Sequence, residues 1–434
     1  MPYNFKPRIY QEPLLRAIDS GLLRAVSIWH RRAGKDKTLI NLVAKKMVER
    51  VGTYYYFFPT YNQGKKILWE GRDRDGFKFT DHIPEDIRIR TNASEMLIEI
   101  QNGSIFQIIG TDNIDSIVGT NPVGCIFSEY SLQNPDAWRF IRPILAENGG
   151  WAVFNYTPRG KNHGHDLYLL AKRSPDWFCE KLTVDDTGAI PKKVLEMEKR
   201  EIIEDTGDDA LFYQEYYCSF EAPMQGSYYG REITKAEKDG RIGRVPHDPC
   251  LPVDTWWDLG VSDSTCIWFT QSVGNEIRVI DYYENSGEGL SFYAAELAKL
   301  REENQYNYRY HNAPHDIEVR ELGTGKSRYE VAHDLGISFY VVPNLPVEDG
   351  INAARAFFRR CYFDEEKCKL GLNALRCYHK EWDERRAEFK AKPFHDWSSH
   401  ASDAFRYLAV GHVDEQKVQD DRDDNESFDR HSLF

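Results

Sequence analysis

No stretch of this 434-residue chain approaches the ~20 consecutive apolar residues that a membrane span needs. The expectation is a soluble protein with no membrane partner. Its opening, MPYNFKPRIYQ, lacks the basic-then-apolar layout of a secretory leader, which points to a cytoplasmic address. Cysteine is sparse: eight in a chain this long exclude a disulfide scaffold, and Cys361, Cys368 and Cys377 lack the short paired spacings of a zinc site. The cysteines are expected reduced and mostly buried. There is no internal repeat. An excess of basic charge is missing too, with 69 acids against 56 Lys and Arg and a formal net charge of −13. That balance argues against a protein that coats nucleic acid, since affinity for DNA rests on phosphate neutralisation, but it does not exclude DNA. Much of the excess lies after Val413, where DEQKVQDDRDDNESFDRHSLF has eight acids, three basic residues and no apolar periodicity, so residues 414–434 are expected to be a disordered acidic tail. The clusters Arg355-Arg359-Arg360 and Lys380-Arg385-Arg386 read either as a groove or as solvated helix faces.

What the chain does contain is two differently patterned halves, within a length suited to two or three domains. Up to about residue 220, apolar runs at Ala25–Trp29, Tyr54–Phe58, Ile105–Ile109, Cys125–Phe127 and Ala152–Phe154 alternate with helical patterns, as in a parallel α/β sheet. Residues 223–252 are rich in Gly and Pro and read as a linker. From 253 to 413 a second domain opens with Val253–Asp258, Cys266–Thr270 and Glu276–Tyr283, a three-strand antiparallel meander. Amphipathic helices and strands near Tyr308–His311 and Ser338–Val342 follow.

The first half carries HRRAGKDKT at 30–38. In a phosphate-binding loop, G-x-x-x-x-G-K-[ST], backbone N–H groups cradle phosphates, Lys pairs their charge and the hydroxyl holds Mg²⁺. Gly34 and Lys35 fit this pattern; Trp29 holds the first Gly position, Asp36 holds the Ser/Thr position, and Arg31 and Arg32 add two cations. A strand precedes the loop, and Leu39, Ile40, Val43, Ala44 and Met47 recur at helical spacing behind it, so a helix N-terminus would face any bound anion. A plainer reading, in which Gly-Lys starts a solvated basic helix, fits the nine residues equally well. In VGCIFSEYS at 123–131 an apolar strand ends in Glu129, placed to orient the water that attacks a γ-phosphate, or else an ordinary acid after a strand. The Asp that normally precedes it and positions Mg²⁺ is replaced by Ser128, and Asp36 in the loop offers a compensating charge. FNYTPRG at 154–160 sets Asn155 and Thr157 where they can sense a phosphate, though a turn built on Pro158 and Gly160 explains it as well. In RIYQ at 8–11 the Gln11 amide can read an adenine edge with one donor and one acceptor.

In the second half, Asp258 ends the first strand, Asp316 follows a later one in HNAPHDIEV, and Asp403 lies on a final helix in DWSSHASDAFRYL, where it shares a face with His400 and Tyr407. Phosphodiester cleavage by two metals needs such converging hard oxygen ligands. Among 69 acids any single Asp is more simply surface charge. Asp263, Asp281 and Asp396 are nearby alternatives.

Taken together these motifs resemble the large terminase subunit of tailed bacteriophages, over nearly the whole chain. RIYQ is similar to that family's adenine-reading motif, HRRAGKDKT to its Arg-bearing phosphate loop, CIFSEY to its Mg²⁺ and catalytic-Glu strand, NYTPRG to its coupling motif, and PTYNQ at 59–63 to the segment after its second strand. SHASDAFRY is the most specific piece of the second half.

The resemblance implies an α/β fold: an N-terminal P-loop ATPase with a parallel sheet (1–222, with a small lid subdomain near 165–222) and a C-terminal RNase H-like nuclease domain with a mixed sheet. It implies that Gln11, Arg31, Arg32, Gly34, Lys35 and Asp36 bind ATP, Glu129 activates water and Thr157 couples hydrolysis to movement. Asp258, Asp316 and Asp403 would hold two Mg²⁺ or Mn²⁺ ions, with a further Mg²⁺ at the ATPase site. The implied partners are double-stranded DNA, a small terminase subunit, the portal protein of a procapsid and further copies in a ring, commonly of five. The implied setting is the host cytoplasm, with transient docking on the procapsid. One departure concerns DSIVGT at 115–120, where Val118 stands in place of a frequent Arg; Arg31, Arg32, Arg139 and Arg142 are the candidate replacements. Rival readings are a helicase-type DNA-dependent ATPase whose second domain only binds nucleic acid, and a non-enzymatic virion component.

Overall fold

The computed structural model describes residues 5–112, 117, 119–222, 224–260, 264–320, 325–383 and 388–412. The chain divides into two compact units, Met1–Gln225 and Gly226–Phe434.

The first unit is built on an eight-stranded, mostly parallel sheet. Its strands are β1 (Arg24–Trp29), β2 (Thr53–Phe58), β3 (Arg88–Asn92), β4 (Leu97–Ile100), β5 (Ile105–Gly110), β6 (Pro122–Ser128), β7 (Trp151–Tyr156) and β8 (Trp177–Leu182), in the order β3-β4-β5-β2-β6-β7-β1-β8. The five apolar runs of the sequence all lie inside observed strands. Their continuous hydrophobicity follows from burial on both faces: in β1, Ala25 and Trp29 enter one core with Leu39, Ile40 and Val43 of the helix Lys35–Glu49, while Val26 and Ile28 enter another with Phe57, Phe127 and Phe154. The hairpin β3–β4 has no such signature in β3, because RIRTN is an edge strand with half-exposed, charged positions. Residues 184–217 form helices with a small core of their own around Val184, Leu195, Phe212 and Tyr216.

The second unit has a seven-stranded mixed sheet. Its strands are β9 (Ile242–Gly243), β10 (Val253–Asp258), β11 (Ser264–Val273), β12 (Glu276–Ser286), β13 (Tyr308–Ala313), β14 (Phe339–Val341) and β15 (Cys361–Asp364), in the order β14-β13-β10-β11-β12-β15-β9. The β10–β11–β12 meander is antiparallel, whereas β13 runs parallel to β10 and β14 parallel to β13. An antiparallel meander whose first strand is extended by two parallel strands is the RNase H-like arrangement. Of the stretch 223–252, read as a linker, the part from residue 226 folds with this unit. The helix Gly230–Lys238 buries Ile233 and Ala236, and β9 pairs with β15. The C-terminal helix, described over 399–412, packs Ala401, Ala404, Phe405 and Leu408 against Trp268 and Phe358. No helix among the described residues is long and apolar enough to cross a membrane. The acidic tail and Arg385-Arg386 lie outside the described residues.

Candidate functional site

Three neighbouring parallel strands, β6, β7 and β1, end side by side and deliver one residue cluster. After β1 the chain turns through Arg32 (φ 69°) and Gly34 (φ 83°) before the helix starts at Lys35. Left-handed backbone suits Gly34, and an added Cβ there would press on the Gln11 amide at 3.0 Å. For Arg32 the same conformation is strained. After β6 Glu129 is also left-handed (φ 56°), held by its N–H on the Asn155 carbonyl of β7 at 2.7 Å. Strained non-glycine backbone at about 1–3 kcal/mol each persists where the surroundings over-determine it.

The turn aims the Lys35 amine at its neighbours. Nζ lies 3.0 Å from Glu129 Oε1 and donates to Thr157 Oγ1 at 2.7 Å. Burial alone would raise the Glu129 carboxyl, but Lys35, and after it Arg159, outweigh burial and hold it below its ordinary value. Its second oxygen, Oε2, is buried with no hydrogen-bond partner. Asp36 and Ser128 meet directly: Ser128 Oγ donates to Asp36 Oδ1 at 3.1 Å, and the Tyr56 hydroxyl donates to the same oxygen at 2.8 Å. Burial raises the Asp36 carboxyl, and Glu129 pushes the same way. The oxygen-only donor set of Asp36 and Ser128, beside the unpartnered Glu129 oxygen, fits a hard cation such as Mg²⁺.

The other loop residues have different surroundings. Gln11 is buried, and its amide is fully used: Nε2 donates to Ala33 O at 3.0 Å, and Oε1 accepts from the Arg8 N–H at 3.0 Å. Gln11 and Gly34 line a cavity of about 300 Å³ shared with Phe5, Arg8, Lys37 and Phe77. The Arg31 N–H donates to Glu215 O at 2.8 Å and its guanidinium lies 3.6 Å from the Glu215 carboxylate, while Arg32 is exposed.

Two groups to which the sequence motifs assign no role complete the cluster. Arg159, from FNYTPRG, forms a mostly buried ion pair with Glu215 of the helix Ala210–Tyr217, with side chains 19% and 8% exposed. Glu180 on β8 accepts from the Trp29 indole at 2.7 Å, and burial pushes its carboxyl up to about 7. No spacing rule links residues 56 positions apart, as Arg159 and Glu215 are. Val118 lies outside the described residues.

In the second unit Asp258 ends β10, and Asp316 sits in the single turn His315–Glu318 just past the end of the adjacent parallel strand β13. Asp258 Oδ2 pairs with His400 Nδ1 at 3.0 Å. One turn on, Asp403 Oδ1 accepts from Arg406 Nε at 3.2 Å and Nη2 at 3.0 Å. Burial raises the Asp258 carboxyl, His400 opposes this, and the charges of Asp403 and Asp316 add to the rise. The three acids therefore share one field. They do not close into a coordination sphere: among the described residues no group of three or more His, Cys, Asp or Glu side chains could hold a metal ion. Asp316 is exposed. The set fits a divalent cation in chemistry, with oxygen donors crowded by like charge, through Asp258 and Asp403. Of the alternatives, Asp281 is committed to the Tyr306 hydroxyl (2.8 Å) and Lys367 (3.6 Å), and Asp396 to Ser398 N–H (2.9 Å). Asp263 lies outside the described residues.

No protein-family profile matches the chain. Among curated proteins it is similar to the large terminase subunit of Escherichia phage T5, 25% identical over 332 residues that span 73% of this chain and 72% of that one. Among solved structures it is similar to the large terminase of a thermophilic bacteriophage in complex with ADP (16% identity, TM-score 0.42, 92% of this chain and 98% of that one). It is also similar to the ATPase domain of the Thermus phage P74-26 large terminase (20%, 0.42, 50% and 94%) and to the P22 large terminase nuclease domain (16%, 0.31, 39% and 84%). With its motifs in order and the phage T5 likeness over nearly three quarters of its length, the chain resembles the large terminase subunits of tailed bacteriophages.

Proposed function

We propose that this protein hydrolyses ATP to drive viral double-stranded DNA into a procapsid and cuts concatemeric DNA with divalent metal. The observation that carries the reading is the Lys35 amine held between Glu129 and Thr157 at the ends of three parallel strands. A lysine at the N-terminus of a helix that follows a strand can take a phosphate, with a carboxylate beside it to position water. When phosphate takes Lys35, the Glu129 carboxylate loses its partner and is free to orient the attacking water. Thr157, bonded to the same amine, registers the exchange and passes it to the Arg159–Glu215 pair. Gln11 would have to give up Ala33 to read adenine. Asp36 and Ser128 would hold Mg²⁺, which neutralises phosphate charge when bound. In the second unit Asp258 and Asp403, joined by Asp316, would hold Mg²⁺ or Mn²⁺, which supplies an activated water at the phosphodiester.

The likeness to large terminases further supports a small terminase subunit and a portal protein as partners, a ring of copies, and action in the host cytoplasm on a docked procapsid. The exposure of Asp316, against the partly buried Asp258 and Asp403, favours a second reading, in which the second unit binds nucleic acid without cutting it. Full-length protein incubated with supercoiled plasmid, ATP and Mg²⁺ or Mn²⁺ separates the two. Packaging and cutting predict ATP turnover together with metal-dependent nicking. Turnover without nicking at any metal concentration supports the helicase-type reading, and no turnover removes both.

A further inference from the structure

The second unit holds a cleft of about 310 Å³ beside the helix Gly230–Lys238 and the end of the helix Val347–Phe357. Five cations line it, Arg231, Lys235, Arg241, Arg355 and Arg359, against one acid, Glu232. In a chain where acids outnumber bases 69 to 56, this is a local inversion of charge. Two of the five are fixed in the wall: Arg241 donates to Phe358 O at 2.6 Å and Cys361 O at 3.1 Å, and Arg355 Nε donates to Tyr228 O at 2.9 Å. The side chains of Arg231, Lys235 and Arg359 have no ion-pair or hydrogen-bond partner among the described residues.

Their spacing is informative. Arg231 and Lys235 lie one turn apart on one helix, and Arg355 and Arg359 lie one turn apart on the other and the 3₁₀ turn that continues it. Like charges at this spacing repel, and a solvated helix face ordinarily mixes signs or pairs them. Two rows of cations facing a concavity match a chain of anions instead. Phe358 is 1% exposed, so the cleft offers no aromatic platform for unstacked bases, which favours a duplex over a single strand.

We propose that this cleft holds the phosphodiester backbone of duplex DNA, as a contact surface beside the carboxylate site and distinct from it. The proposal deepens the DNA-handling reading above and rests on it. Buried Tyr229, whose hydroxyl has no hydrogen-bond partner, packs against Phe358 of the cleft wall (ring centroids 5.4 Å) and against Phe405 on the helix that carries Asp403 (6.3 Å).

The test is duplex binding by full-length protein, without metal or nucleotide, followed by fluorescence anisotropy across a KCl titration. Each phosphate contact contributes about 0.9 to the slope of log K against log [salt]. The variant Arg231→Ala/Lys235→Ala/Arg359→Ala should therefore bind more weakly and with a slope shallower by roughly two to three. A control, Arg74→Ala/Lys192→Ala/Lys193→Ala, removes as many exposed cations and should keep the wild-type slope. Both should match wild type in thermal unfolding. An unchanged slope in the cleft variant, or an equal loss in the control, overturns the proposal while leaving the packaging reading intact. Loss of tripolyphosphate binding with an unchanged DNA slope also overturns it, marking a small-anion site. A wild type that turns over ATP but does not bind duplex overturns both.

Discussion

In the first unit the reactive groups touch one another: Lys35 meets Glu129 and Thr157, and Asp36 meets Ser128. In the second unit each partly buried acid faces a basic group of its own, Asp258 on His400 and Asp403 on Arg406, and the third acid, Asp316, is exposed. The difference follows from charge. A phosphate site is made of a cation and backbone N–H groups, and its lysine can be held in place by a nearby carboxylate of opposite sign. A metal site is made of like-charged carboxylates, which raise one another's proton affinity and resist closing up unless a counter-charge is present. The first kind of site can assemble from the chain alone. In the second, His400 and Arg406 supply that counter-charge to Asp258 and Asp403.

Breaking the contact set of the first unit gives the largest expected effect. Glu129→Gln should lower ATP turnover by roughly 10²–10⁴-fold, the range for a positioned base, while nucleotide binding, followed by a fluorescent analogue, persists. Unchanged turnover in a variant that still binds nucleotide would show that Glu129 does not act on water. Next is the ion pair behind it. Glu215→Ala strands the mostly buried Arg159 and should cost about 3–5 kcal/mol in chemical denaturation. A cost within about 0.5 kcal/mol, the range of ordinary surface substitutions, would mean the pair is spectator charge.

A smaller effect concerns pH. Folded Glu180 titrates at about 7, well above an unfolded glutamate, so between those values the folded state binds the extra proton. Its contribution to stability is fully present below the unfolded value and is lost as pH rises through about 7. Glu180→Gln should flatten that part of the stability curve, read as denaturation midpoints across the range. An unaltered pH slope would contradict the burial argument.

The reactive contacts of the first unit were legible because Lys35, Glu129 and Thr157 each follow an apolar run, and a parallel sheet brings consecutive strand ends to one edge. The pairing of Ser128 with Asp36 was legible as complementary departures from one motif. Arg159 was visible as a residue but not as a role, since its partner Glu215 comes from a helix far along the chain. Glu180 was hidden because β8 is an edge strand, WFCEKL, whose half-buried pattern lacks the continuous hydrophobicity of its neighbours. In the second unit the order of elements carrying Asp258, Asp316 and Asp403 could be read. That Asp316 is exposed while Asp258 and Asp403 are partly buried could not, because a sequence gives which acids lie near one sheet edge and not how far each is covered. The basic residues Arg355 and Arg359 stood out as a cluster, while Arg231, Lys235 and Arg241 were hidden in a stretch whose Gly and Pro content suggested only a connection.

The central claim is that two chemically independent sites share this chain, and the most direct test crosses two variants with two activities. ATP turnover and plasmid nicking are measured side by side on wild type, Lys35→Ala and Asp403→Ala. The account predicts that Lys35→Ala abolishes turnover and keeps nicking, and that Asp403→Ala does the reverse. Both activities surviving in either variant, or both vanishing together in a variant that folds normally, would contradict it.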